Sequence, residues 1–132
     1  MKRTFFHAFL FVWLLLSSGA VLAQAETFGA VRNALRSASS RELSQYFGAT
    51  VNISFDGDRQ SYSATQAEFV LKDFFAKTAP ATFDIVHQGA SQGGIPYAIG
   101  KYNGKSGPYR VFIKMKNVNG ALRIDNMDFT KE

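Results

Sequence analysis

Residues 82–129 read TFDIVHQGASQGGIPYAIGKYNGKSGPYRVFIKMKNVNGALRIDNMDF, and this stretch decides the fold. Apolar and polar residues alternate through four runs, 82–91, 96–102, 108–117 and 121–129, which is the period of half-buried strands. Between the runs stand Gly93-Gly94, Asn103-Gly104 and Asn119-Gly120. Asparagine and glycine tolerate the positive φ of a two-residue hairpin loop, so each dipeptide predicts a tight reversal. Four strands joined in this way form an antiparallel meander. Its buried face is expected to carry Phe83, Ile85, Ile99, Val111, Ile113 and Met115.

Immediately upstream the period changes. Ala67, Val70, Leu71, Phe74 and Phe75 recur at helical spacing. Ser63 with Gln66 makes a capping box, and Pro80 forbids continuation, which predicts a helix from Ala64 to Lys77. Phe69 falls on its polar side and is expected to be covered by the helices that open the domain. Before this helix, Thr50 to Phe55 alternates, Asp56-Gly57 reverses the chain, and Asp58 to Tyr62 returns as a hairpin partner. Further upstream, Phe28, Val31, Leu35 and Ala38 mark one helical stripe. Ser39 to Glu42 caps a second, short helix that carries Leu43, Tyr46 and Phe47 and stops at Gly48. The order is α-α-β-β-α-β-β-β-β. It gives an α+β fold with helices on one side of a curved antiparallel sheet.

At the N terminus, Lys2 and Arg3 precede an apolar run from Phe5 to Leu16 and the small residues Ser17 to Ala20, the pattern of a secretory signal peptide. Such a leader is expected over residues 1–25, with cleavage after Ala23 or Ala25, leaving a single domain over 26–132. The apolar run falls short of the roughly 20 residues that span a bilayer, so no membrane span is expected and the protein is placed in the periplasm or outside the cell. The chain has no cysteine, which excludes disulfides, a thiol nucleophile, Cys-ligated zinc and lipoprotein acylation. Losing Lys2 and Arg3 lowers the formal charge of +5 by two. The mildly basic balance that remains favours solubility and weak attraction to anions, and does not by itself point to nucleic acid.

Several short motifs carry a resemblance: Tyr62-Ser63, Gln66-Ala67-Glu68, Lys72-Asp73-Phe74-Phe75, Phe83, His87-Gln88-Gly89, Tyr97-Ala98-Ile99-Gly100, Gly107 and Tyr109-Arg110-Val111. Together they resemble the secreted bacterial family catalogued as domain of unknown function 4783. That family lies within the nuclear transport factor 2-like superfamily, also called the cystatin-like α+β roll. The resemblance spans almost the whole chain after the leader. It implies a bent sheet wrapped around a long helix, and it brings no assigned activity. The superfamily includes isomerases, dehydratases, protein carriers and binding modules, and fold does not choose among them.

His87 is in phase with Phe83 and Ile85 and is therefore expected to face the hollow between sheet and helix. The resemblance implies that enzymes of the superfamily hold a general base there, and a neutral imidazole could serve. Tyr97 and Tyr109 share the parity of inward-facing neighbours and would add hydroxyls, so His87, Tyr97 and Tyr109 form the candidate ligand-binding set. A histidine hydrogen-bonded to a tyrosine for structural reasons reads the same way. Asp73 faces away from the helix stripe and is predicted to pair with Lys77.

With His7 in the leader, one histidine remains, and Asp56, Asp58, Asp125 and Asp128 lack the spacing of a calcium loop, so no metal or cofactor is expected. On the outer face, Arg110, Lys114 and Lys116 flank Phe112. Such a stripe fits single-stranded nucleic acid, an anionic envelope polymer or an ordinary solvated sheet, and nucleic acid is not expected for an exported protein. Val86, Tyr102 and Phe112 are expected to form the apolar centre of a homodimer interface there. These residues describe an exported, non-catalytic domain that binds a small apolar ligand or a protein partner. The alternatives are a small isomerase- or dehydratase-like enzyme with His87 as general base, and a structural, envelope-associated homodimer.

Overall fold

The computed structural model describes residues 23–132. The leader expected over residues 1–25 lies outside them as far as residue 22. Residues 23–36 form helix α1, whose buried stripe is Phe28, Val31, Ala34 and Leu35. Ala38 closes the helix at φ 54, with its N–H donating to Leu35 O at 3.2 Å and that of Ser39 to Ala34 O at 2.9 Å. This paired closure normally uses glycine, which has no Cβ to strain the left-handed conformation.

Helix α2 spans Ser40–Ser44, and the Ser39 hydroxyl accepts from the Glu42 amide at 3.1 Å as its cap. The expected continuation through Tyr46 and Phe47 to Gly48 does not form, because β1 already begins at Phe47 and runs to Phe55. The Tyr46 carbonyl accepts from Ile124 N–H at 2.6 Å and Phe47 lies beside Ile124. Sheet pairing thus satisfies backbone groups that a helix of one turn would leave open.

The hairpin of β1 with β2 (Asp58–Ser63) turns through Asp56 and Gly57 at φ 52 and 89, as the dipeptide predicts. Helix α3 (Ala64–Thr78) then starts with both halves of its capping box: Gln66 N–H donates to Ser63 Oγ at 3.2 Å and Ser63 N–H to Gln66 Oε1 at 3.1 Å. Four strands follow: β3 (Pro80–Ala90), β4 (Pro96–Gly104), β5 (Gly107–Val118) and β6 (Ala121–Lys131). Asn119-Gly120 makes the predicted turn, at φ 52 and 84. Asn103-Gly104 does not: both belong to β4, and Lys105-Ser106 form the loop. The cause lies at the end of α3. A Cβ on Gly104 would overlap the Thr78 carbonyl, and Lys105 N–H donates to that carbonyl at 3.3 Å. Gly104 is therefore a residue of close backbone approach, and the reversal moves one step on.

The six strands lie in the order β2-β1-β6-β5-β4-β3. Every pair is antiparallel except β1 with β6, which is parallel, so the last strand sits in the middle of the sheet beside the first. The inner face carries Val51, Ile53, Phe83, Ala98, Tyr102, Val111, Ile113, Met115, Ile124, Met127 and Phe129. Ala67, Leu71 and Phe75 of α3 and the stripe of α1 pack into one core with them.

One irregularity redirects the candidate site. Ile85 pairs with Gly100 but His87 pairs with Ile99, so Val86 is an extra residue in β3. A β-bulge of this kind shifts the in-and-out alternation by one position. Beyond it, His87 lies level with Ile99 and Gly89 with Tyr97, all on the outer face. The expected inward position of Ile99 is corrected as well, although β4 alternates without interruption: its neighbours Ala98 and Gly100 are buried, whereas Ile99 is opposite Phe112.

The free edge of β3 is closed by α1. Arg36 Nε donates to Phe83 O at 2.7 Å, and its guanidinium pairs with Asp84. An edge strand with a claimed carbonyl and a bulge is a poor template for pairing with another chain.

Candidate functional site

Rings fill the hollow between α3 and the sheet. Phe74 is the hub, with ring centroids 5.0 Å from Phe55, 5.8 Å from Tyr102, 5.4 Å from Tyr109 and 4.8 Å from Phe129. Of the candidate set, only Tyr109 is placed inside, where it is buried and 6.3 Å from Tyr102. Tyr102 is buried as well, which corrects its expected place on the outer face. Its hydroxyl donates to Thr78 O at 3.1 Å and lies 3.3 Å from Thr78 Oγ1. Burial pushes the Tyr102 phenol above the ordinary tyrosine value of 10.0, against the lowering effect of the Thr78 hydrogen bond.

His87 and Tyr97 meet on the opposite side of the sheet. His87 is exposed, and its Nε2 lies 3.2 Å from the Tyr97 hydroxyl. The expectation that His87 sits in the hollow with Tyr97 is therefore corrected: the bulge at Val86 turns His87 outward, and Tyr97 has the outward parity of an unbroken β4 whose Ala98, Gly100 and Tyr102 face in. Gly89 makes the pairing possible: a Cβ there would stand 2.8 Å from the Tyr97 hydroxyl, so the bare backbone lets the ring lie across β3. Tyr97 also approaches Phe112, with centroids 5.7 Å apart. His87, Tyr97 and Phe112 thus form a ladder of rings across three strands. Ile99, Arg110, Phe112, Asp128 and Thr130 border a recess of about 280 Å³ beside it. Asp128 is held by Asn126 at 2.8 Å and by Arg59 at 3.3 Å. Of the expected interface residues, Phe112 is half-buried on this face and Val86 is 65% exposed at the bulge.

Sequence reasoning missed a second feature. Phe55, Phe69, Val70, Asp73, Phe74 and Lys77 line an open groove of about 480 Å³ along α3. Phe69 is 64% exposed, so the opening helices do not cover it as expected. The signal was its place on the polar side of the helix. Asp73 and Lys77 form the predicted pair at 2.9 Å on the groove's rim. An exposed pair of this kind is worth little to stability, so both charges remain available.

Among the described residues, no group of three or more histidines and carboxylates converges as a metal site would require, and no helix is long and apolar enough to cross a membrane. In the dyad of His87 and Tyr97, the imidazole nitrogen and the phenol hydroxyl share one hydrogen bond in which the tautomer decides which group donates.

Solved structures share this fold. A protein of the same domain family from Bacteroides ovatus is 29% identical, covers 78% of this chain and 93% of its own, and superposes with a TM-score of 0.74. One from Bacteroides fragilis is 24% identical, with coverages of 78% and 96% and a TM-score of 0.74. A nuclear transport factor 2-like protein of unknown function from Shewanella baltica is 16% identical, with coverages of 85% and 93% and a TM-score of 0.63, which shows the fold alone. A search of the curated proteins finds no match. The family model described as Domain of unknown function (DUF4783) matches residues 28–130, nearly the whole of the described chain, and the protein belongs to that family.

Proposed function

We infer that this is an exported, non-catalytic binding domain, and that the groove on α3 takes a small apolar ligand. The observation that carries this reading is Phe69, a large apolar side chain 64% exposed on the wall of an apolar groove, where it adds nothing to the packed core. Apolar surface left in water costs roughly 25 cal/mol per Å², so a ligand that covers Phe69 and the half-buried faces of Phe55 and Phe74 gains from their dehydration. At the rim Lys77 and Asp73 form an ion pair, which gives the polar end of such a ligand a partner while the apolar wall supplies the binding surface.

The enzyme reading is weaker. A general base needs an enclosed site and a group to orient it, and His87 is exposed on the far side of the sheet. The homodimer reading keeps Val86 and Phe112 as contacts and loses Tyr102 to the core.

Titration of the full chain with decanoate, followed by calorimetry or by NMR shifts of the α3 amides, tests the groove. Saturable binding is expected, and Phe69→Ser should weaken it on the order of tenfold while changing stability by less than about 0.5 kcal/mol, as exposed positions do. Binding that is unchanged in Phe69→Ser, or no binding at all, would remove the groove as the site.

A further inference from the structure

On the outer sheet face, Lys101 of β4 and Arg110 of β5 are direct register partners. Among the described residues, neither has a carboxylate within 4.0 Å. Like charges directly opposite on neighbouring strands destabilise a sheet, and Asp84, the register partner of Lys101 on its other side, is paired with Arg36. Further along β5, Lys114 and Lys116 share the single carboxylate of Asp125, at 3.7 and 3.4 Å. From Arg110 to Lys116 the cations cover about 20 Å, at roughly 3.3 Å per residue. Phe112 and Tyr97 present rings between the two ends of the row.

We propose that this face binds an extended anionic polysaccharide, its carboxylates on the Lys101–Arg110 pair and on Lys114 and Lys116, its sugar rings against Phe112 and Tyr97. Charge complementarity supplies the class. Cations set opposite one another, with the adjoining Asp84 already paired with Arg36, are relieved by an external anion, and their spread calls for a polymer with several negative groups. The acids on the same face separate a polysaccharide from a nucleic acid. Asp128, held in place by Asn126 and Arg59, borders the recess with Thr130, and both accept hydrogen bonds from sugar hydroxyls. The phosphodiester backbone of DNA offers no such donors. The ring ladder is tilted, with 34° between Tyr97 and Phe112, which suits a chain that twists from one sugar to the next.

This surface is independent of the groove on α3, so either site can fail alone. The test is binding of the full chain to a polygalacturonate oligosaccharide, measured by calorimetry at two salt concentrations, with a cello-oligosaccharide and an oligo-dT strand of matched length as comparisons. Polygalacturonate is expected to bind, to lose on the order of tenfold affinity for a fourfold rise in salt, and to exceed both comparisons. The double variant Lys101→Ala, Arg110→Ala should lose on the order of tenfold affinity while its thermal stability stays level or rises. Phe112→Ser should weaken binding with the salt dependence kept. Absence of polygalacturonate binding, tighter binding of oligo-dT, or a double variant that binds as well as the parent would each overturn the proposal.

Discussion

The Tyr102 hydroxyl donates to the Thr78 carbonyl at 3.1 Å, so a strand residue closes the last turn of the central helix. That bond ties β4 to α3 inside the core, and the burial of the phenol makes the domain sensitive to alkali. Because burial raises the phenol's folded pKa above 10.0, the folded state favours the protonated form. The stability this gives is complete below the unfolded value and is lost as pH rises through it toward the folded one. Tyr102→Phe should lower stability at neutral pH by about 1 kcal/mol, the worth of one hydrogen bond, and should flatten the fall in stability above pH 10. Chemical denaturation of both proteins on either side of that pH checks both effects.

Two glycines should respond to the same substitution with opposite signs. Gly100 lies under the Phe83 ring, and a methyl group there would overlap it, so Gly100→Ala should cost about 1–3 kcal/mol through overpacking. Gly29 is helical with open space around its Cβ position, so Gly29→Ala should gain about 0.5–1 kcal/mol. Thermal unfolding of the two variants, side by side, reads the difference.

His87 and Tyr109 separate the two faces. His87→Ala should shift stability by no more than about 0.5 kcal/mol, because the ring is exposed. Tyr109→Ala removes a buried ring packed on Phe74 and should cost about 3–5 kcal/mol. A large loss from the histidine variant would place that ring inside after all.

The cap of α3 is the simplest local test. Ser63→Ala removes the acceptor for Gln66 N–H and should cost about 1 kcal/mol, with the loss of helix seen at the first turn by amide exchange.

Local chemistry made most of this fold readable. The capping box at Ser63, the type I′ loops at Asp56-Gly57 and Asn119-Gly120, and the stripe of Ala67, Leu71 and Phe75 each follow from residues within a few positions of one another. What escaped was set by contacts distant in sequence. Phe47 joined a strand because Ile124 lay beside it, and Asn103-Gly104 were drawn into β4 by the end of α3. The bulge at Val86 had no local mark apart from Gly89, yet it moved His87 to the other face. In β4, which keeps its period, Ala98, Gly100 and Tyr102 took the inner face and left Tyr97 and Ile99 outside. A parity argument holds only while a strand keeps its period, and alternation alone does not say which of its two sides faces the core.

The parallel contact of β1 with β6 pairs Phe55 with Phe129 across more than half of the chain. Loop closure on that scale is slow, and β6 follows the other five strands along the chain. Until it arrives, β1–β2 and β3–β4–β5 are two separate ribbons with no shared ladder. The sheet therefore stays open until β6 is made, and removing that strand would split the domain down the middle instead of trimming a border.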